Sequence, residues 1–331
     1  MSSTNPTDHP PHLEPSQLGT KEYWESFYDN SLSHLSSRRR RPSHDNDNND
    51  DNANNDTRRD GDSDSDDDDD DEAFSDEDSD PGTSWFSEHN APEKVMRFLT
   101  ADSFPLAPCN TNTNTLTSTD SQQQQQQPTI LDLGTGNGSM LTLLRDEGEF
   151  TGPMVGVDYS EKSIELARRL HAHDHGDGDG DGDASLLRFE VWDVFDPKPL
   201  RELDWFPSAG GGFDIVLDKG TFDAISLSAE EVVVELEEER DMKGSRVVQS
   251  RVCERYPGIV RGLVRRGGFL VVTSCNWTEA ELVKWFTGEG EGEGDGDRLE
   301  VWGRVEYPKF RFGGQEGQGV CTVCFRRVGG R

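Results

Sequence analysis

Between Thr129 and Thr273 short apolar runs alternate with longer amphipathic stretches, and no other property of the chain narrows its fold as much. Ile130-Leu131-Asp132-Leu133 stops at glycines, and residues 139–145 have helical spacing. Residues 154–158 form a second run, followed by a helical stretch at 160–170 in which Ser160 and Ser163 are both candidate N-caps. The beat continues through 186–191, through 213–218, through a helical stretch predicted from Val247 to Val264, and into a fifth run at 268–273. Strands alternating with helices at this spacing predict a parallel sheet covered on both faces. Residues 299–307 and 320–325 then supply two strands with no helix between them, which should close the sheet as an antiparallel pair. Six parallel strands would be a dehydrogenase-like sheet, and this pattern is different.

Composition appears to contradict an ordered domain until the charge is located. Hydrophobic residues make up only 31% of the 331, and 66 acidic residues against 33 basic ones give a net charge of −33. Residues 45–80 hold 19 acids against Arg58 and Arg59 alone, and the Gly-Asp and Gly-Glu repeats at 176–183 and 289–297 add nine more. Without these three stretches the balance is about −7, ordinary for a domain. Residues 36–80 lack the apolar side chains needed to offset the entropy of ordering, and the glutamine-rich 110–127 reads the same way. The Arg38–Arg41 run admits a nuclear-import reading, but beside an acidic tract it reads better as a solvated charge block. The chain has no run of 18 apolar residues and its start lacks a basic, apolar leader, so neither a membrane span nor a secretory signal is expected. Cysteines at 109, 253, 275, 321 and 324 are scattered and odd in number, which favours reduced thiols. The cytoplasm is the expected compartment, with the nucleus as an addition. The acidity argues against direct nucleic-acid binding. No metal is expected: Cys321 and Cys324, three apart on a strand, point to opposite faces, and His171, His173 and His175 read as a solvated loop.

The chemistry concentrates at Asp132-Leu133-Gly134-Thr135-Gly136-Asn137-Gly138, where a strand turns into a helix. Glycines there let a ligand approach the backbone, and the helix start offers free N–H groups. Pyrophosphate-binding turns favour Gly-x-Gly-x-x-Gly, so the tighter Gly-x-Gly-x-Gly suits a ligand without phosphates. Asp158 ends the second strand 24 residues after Gly134, where a carboxylate can take two ribose hydroxyls. Trp192-Asp193 ends the third, where a carboxylate accepts from an exocyclic amine and an indole packs on a purine. Acids at successive strand ends describe a nucleoside site.

With these residues in view, the chain from about 84 to 331 resembles the seven-stranded, Rossmann-like class I methyltransferases that use S-adenosylmethionine. More narrowly, Leu18-Gly19-Thr20-Lys21-Glu22-Tyr23-Trp24, residues 131–138, Leu217-Asp218-Lys219-Gly220-Thr221-Phe222-Asp223-Ala224-Ile225 and Phe310-Arg311-Phe312-Gly313-Gly314 are similar to the elongation factor 1-alpha lysine methyltransferase family. The resemblance implies an N-terminal segment, 1–35, with a cofactor lid helix at 18–30, then a disordered acidic insertion at 36–83. A single α/β methyltransferase domain at 84–331 follows, interrupted at 110–127, 176–183 and 288–297. It implies that Gly134, Gly136 and Gly138, with Asp132 and Asn137, cradle the amino-acid part of the cofactor. Asp158 and Tyr159 would then meet the ribose, Trp192, Asp193 and Val194 would frame the adenine, and Trp24 would fold over the whole. Asp218 would stand at the rim between cofactor and acceptor, with Lys219 and Thr221 beside it and Asp223 either guiding the lysine or capping the next helix. Lys219 reads better as structural or salt-paired. The function so implied is a monomeric protein-lysine N-methyltransferase acting on elongation factor 1-alpha. Two other readings stay open, a methyltransferase for a small metabolite and a non-catalytic cofactor-binding adaptor linked to intracellular transport.

Overall fold

The computed structural model describes residues 9–39, 86, 89–111, 127–171, 187–237, 245–288, 296–312 and 315–329. The acidic tract at 45–80, most of the glutamine-rich and repeat insertions, Arg40, Arg41, His173, His175, Gly313 and Gly314 lie outside these residues.

A short 3-10 turn at Gln17–Gly19 leads into α1 (Lys21–Arg39), and α2 (Ala91–Thr100) and α3 (Pro108–Thr111) precede the sheet. The alternation then reads β1 (Ile130–Leu133), α4 (Ser139–Asp146), β2 (Met154–Asp158), α5 (Glu161–His171), β3 (Leu187–Val191), β4 (Phe213–Lys219) and α6 (Thr221–Ser226). After β5 (Glu231–Glu237) and β6 (Ser245–Arg251) come α7 (Val252–Leu263), β7 (Val264–Ser274) and α8 (Glu279–Thr287). The chain ends with β8 (Arg298–Val305), β9 (Phe310–Phe312), β10 (Gln315–Gly317) and β11 (Cys321–Val328).

The central sheet has seven strands in the order β3-β2-β1-β4-β7-β11-β8. The first five are parallel, while β11 runs antiparallel to both β7 and β8, so the predicted closing pair is present. Because side chains alternate across a strand, β1 sends Leu131 and Leu133 to one face and Ile130 to the other. Leu131 and Leu133 join Val155, Val157 and Val216 beneath Phe222, Tyr256, Val260 and Trp285 of α6, α7 and α8. Ile130 joins Met154, Ile215 and Val271 beneath α2, α4 and α5. Both faces of β1 are therefore buried, which explains why its sequence shows a continuous apolar run instead of an alternation. Cys321 packs into the first layer and Cys324 into the second, on opposite faces of β11, and burial pushes the Cys321 thiol up to about 12.

Three expectations change. The helix predicted from Val247 starts at Val252, because Val247 and Val248 pair with Glu235 and Val234 in a two-stranded ribbon. At the true helix start the Glu254 carboxylate accepts the Arg251 N–H at 2.9 Å. The lid helix is longer than 18–30 and runs on to Arg39, into residues expected to be disordered. Of the two candidate caps before α5, Ser160 is the cap, accepting from the Ser163 N–H at 3.1 Å, while the Ser163 hydroxyl turns toward Asp158.

Phe269 of β7 is buried against Phe104 and Trp302, with ring centroids 4.9 and 5.2 Å away. Phe269→Ala opens a cavity between the α2–α3 loop and β8 and should cost about 3–5 kcal/mol in urea denaturation.

Candidate functional site

The turn after β1 is built from main chain. Gly134 and Gly136 both have left-handed φ, +58° and +59°, a region L side chains avoid. A Cβ at Gly134 would lie 2.2 Å from the Thr221 hydroxyl, and one at Gly136 would lie 2.8 Å from the Tyr28 hydroxyl. The loop is held in place from below, where the Thr135 hydroxyl donates to Asp132 at 2.8 Å and the Thr135 N–H to the Val157 carbonyl at 3.0 Å. Asn137 accepts from the Ser139 N–H at 3.1 Å and so shapes the entry into α4.

Asp158, at the tip of β2, is buried and holds the same loop from the side. One carboxylate oxygen accepts the Gly136 N–H at 3.2 Å and lies 2.8 Å from the Ser163 hydroxyl, and the other accepts the Ser160 N–H at 2.9 Å. The second oxygen has a lone pair left for an incoming hydroxyl. Burial raises the Asp158 carboxyl above its ordinary range. Asp193 is exposed and accepts the Phe195 N–H at 2.9 Å, and Val194 is half-buried beside it. Trp192 turns inward, edge-on to Trp205 at 5.4 Å, and its buried indole N–H has no acceptor among the described residues.

The N-terminal segment crosses the carboxyl ends of these strands. The Ser16 N–H donates to the Leu227 carbonyl at 3.0 Å, and Gly19 lies so close to the Leu227–Ser228 backbone that a Cβ there would come within 2.3 Å. The Trp24 indole N–H donates to the Leu18 carbonyl at 2.8 Å, fixing the angle between the 3-10 turn and α1. The Tyr159 hydroxyl donates to the Thr20 carbonyl at 3.3 Å, Glu25 accepts the Glu161 N–H at 3.0 Å, and Lys162 pairs with Asp29 at 3.1 Å. Tyr28 and Leu32 pack on Leu166 of α5, which sets the Tyr28 ring over Gly136 with Trp24 stacked on it at 6.1 Å. The segment that sequence placed over the glycine turn therefore lies across it.

The end of β4 departs from expectation. Asp218 does not stand at a rim: it is 1% exposed, and its oxygens accept Thr221 N–H at 2.9 Å, Phe222 N–H at 3.1 Å and the Tyr256 hydroxyl at 2.7 Å. It ties the start of α6 to α7, and burial pushes its carboxyl up to about 7. Thr221 donates its hydroxyl to the Leu133 carbonyl at 2.7 Å, joining α6 to the glycine turn. Asp223 neither caps α6 nor faces an open cleft, since it is buried and accepts from the Ser274 hydroxyl and, at 2.9 Å, from the Cys275 N–H at the end of β7. Lys219 places its ammonium 5.7 Å from the Phe86 ring, in the field of Asp132 and Asp218. Burial lowers the Lys219 pKa and pushes the Asp132 carboxyl up to about 6.

Sequence reading missed Tyr256 and Arg251. Tyr256 sits among ordinary core positions of α7, with no motif to mark it. Arg251 joins the strap to α6 by donating to the Leu13 carbonyl at 2.6 Å and the Ser226 carbonyl at 3.1 Å. The left-handed glycine turn, the spare acceptor capacity of Asp158 and the orphaned indole N–H of Trp192 together fit an adenosine-bearing ligand with an amino-acid tail.

A family model described as a methyltransferase domain matches residues 124–302. The chain is 30% identical over 313 residues to the protein-lysine N-methyltransferase EFM4 of Saccharomyces cerevisiae, covering 95% of this chain and 96% of that one. It is 28% identical over 321 residues to the protein-lysine N-methyltransferase efm4 of Schizosaccharomyces pombe, with 95% of each chain covered. It is 25% identical over 314 residues to the EEF1A lysine methyltransferase 2 of Homo sapiens, covering 95% of this chain and 88% of that one.

A carboxyl whose folded pKa is raised binds its proton more tightly in the folded state, so the stability it contributes is present at low pH and lost as pH rises through the folded value. For Asp218 that window runs from the ordinary carboxylate value of 3.8 to about 7. Asp218→Asn should therefore lose less stability than wild type between those two pH values, by up to about 1.4 kcal/mol per pH unit, in denaturant titrations at a series of pH values. Equal slopes would show that Asp218 ionises normally.

Proposed function

The chain belongs to the methyltransferase-domain family, and on that basis we propose that it is an S-adenosylmethionine-dependent protein-lysine N-methyltransferase acting on translation elongation factor 1-alpha. The observation that carries this reading is the end-to-end likeness to protein-lysine N-methyltransferases. It covers 95% of this chain and so takes in the N-terminal strap as well as the sheet. A likeness confined to the fold would leave the acceptor open, because one fold hosts many substrates.

When bound, S-adenosylmethionine supplies a sulfonium whose methyl group is open to attack by a neutral amine. Gly134 and Gly136 would give that cofactor main chain to lie against, and the Asp158 carboxylate would meet its ribose. Tyr28, Trp24 and Tyr159 exclude water from above. The acceptor lysine must arrive without its proton, and from a pKa near 10.4 that costs roughly 4.6 kcal/mol at pH 7. Burial of the incoming ammonium at the carboxyl ends of the strands would lower that cost, as burial lowers the pKa of Lys219 there. Most of the remaining acceleration comes from alignment of the amine with the methyl group.

Incubating the purified chain with methyl-labelled cofactor and elongation factor 1-alpha should place label on lysine of that protein, read by mass spectrometry. Label appearing only in a protein-stripped extract would replace the proposal with a small-molecule acceptor. Gly136→Ala puts a methyl group against the Tyr28 hydroxyl and strains a left-handed position. It should weaken cofactor binding in calorimetry by at least about tenfold, or 1.4 kcal/mol, while the chain stays folded.

A further inference from the structure

The N-terminal segment carries two histidines that lie against α7 and α8. His9 and His12 are three apart and stack on each other at 4.7 Å, with His9 also stacked on Trp285 of α8 at 4.6 Å. Both present Nε2 to Glu254 in the first turn of α7, at 3.8 Å for His9 and 3.1 Å for His12. The three ligand atoms lie within 4.8 Å of one another, and among the described residues this is the group of histidine, cysteine and acidic side chains that comes together in this way.

The tautomer of His9 supplies the second observation. Its Nδ1 lies 2.7 Å from the Pro10 carbonyl, which can only accept, so Nδ1 carries the proton and the lone pair of neutral His9 sits on Nε2. Nε2 faces a Glu254 carboxylate oxygen at 3.8 Å, so a cation placed between the two would meet a donor atom on each side. A histidine whose other ring nitrogen is held by a carbonyl is oriented in the way metal-bound imidazoles are. His12 brings its Nε2 within 3.1 Å of the other Glu254 oxygen. Glu254 meanwhile accepts the Arg251 N–H at 2.9 Å, so its carboxylate is already oriented.

From this arrangement we infer that His9, His12 and Glu254 bind one borderline divalent cation of the zinc class, clamping the start of the chain to α7 and α8. Two imidazole nitrogens and a carboxylate oxygen form a donor set suited to zinc, with water completing the coordination. Ligand atoms around a tetrahedral zinc lie about 3.3 Å apart, so the side chains close inward by roughly an ångström and the stack between the two imidazoles opens as they do. All three side chains are reachable from solvent, which gives the ion its entry path. The inference rests on this geometry alone and is independent of the methyltransferase reading.

The test compares full-length wild type with His9→Ala/His12→Ala, both stripped with a chelator and titrated with zinc chloride against a chromophoric competitor. Wild type should bind one equivalent more than the double variant and show a thermal midpoint that rises with zinc, while the midpoint of the variant should not respond. Glu254→Gln, whose amide oxygen can still accept the Arg251 N–H, should bind that equivalent at least about tenfold more weakly. Cobalt substituted into wild type should give a visible band that the double variant lacks. Equal zinc stoichiometry and affinity in wild type and double variant, as when the ion sits on other histidines or on the acidic repeats, would overturn the site.

Discussion

The site depends on one stretch of bare backbone. From Gly134 to Gly138 the chain passes beneath Tyr28 and against Thr221, which pack where a glycine side chain would otherwise stand, and beside Asp158, which accepts the Gly136 N–H. This lets three elements far apart in sequence converge on one turn: α1 from above, α5 through Ser160 and Ser163 from one side, and α6 through Thr221 from the other. Because β1 is an interior strand flanked by β2 and β4, the turn rests on both hydrophobic layers at once and is poorly placed to relax.

The same convergence explains the buried acids. Asp132, Asp158, Asp218 and Asp223 sit at or just beyond the carboxyl ends of adjacent strands, each nearly free of solvent and each supplied with local donors. A buried carboxylate is tolerated where hydrogen bonds replace its hydration. These residues hold loops in position, and the raised affinity of Asp132 and Asp218 for protons is the cost of placing them in a low dielectric. Asp218, read from sequence as a group facing the acceptor, instead fixes where α6 begins and so where Lys219 and Thr221 point.

Sequence disclosed the sheet because β1, β2 and β4 are continuous apolar runs that stop at glycine or aspartate, and β11 and β8 lack a helix between them. It disclosed the glycine turn because only glycine serves there. It also disclosed that Trp24 packs on the folded domain, since aromatics so far from the core need a surface to cover. The ribbon of β5 and β6 was lost because Val247 and Val248 precede a genuine amphipathic helix, and the pairing that claims them is with residues of another segment. Tyr256 and Arg251 were illegible for a related reason: each acts through a partner brought close only by folding, Asp218 for one and the carbonyls of Leu13 and Ser226 for the other. The role of Asp223 depended on Ser274 and Cys275 in the same way.

The roof of the site and its floor are made from distant parts of the polypeptide, since α1 ends at Arg39 and β1 starts at Ile130. The entropy lost in joining the ends of a flexible tether grows only with the logarithm of its length, so each doubling adds roughly 0.6 kcal/mol. A tether that polar can gain or shed dozens of residues and leave the docked helix where it is. Lengthening the link between α1 and α2 is therefore nearly neutral for the fold.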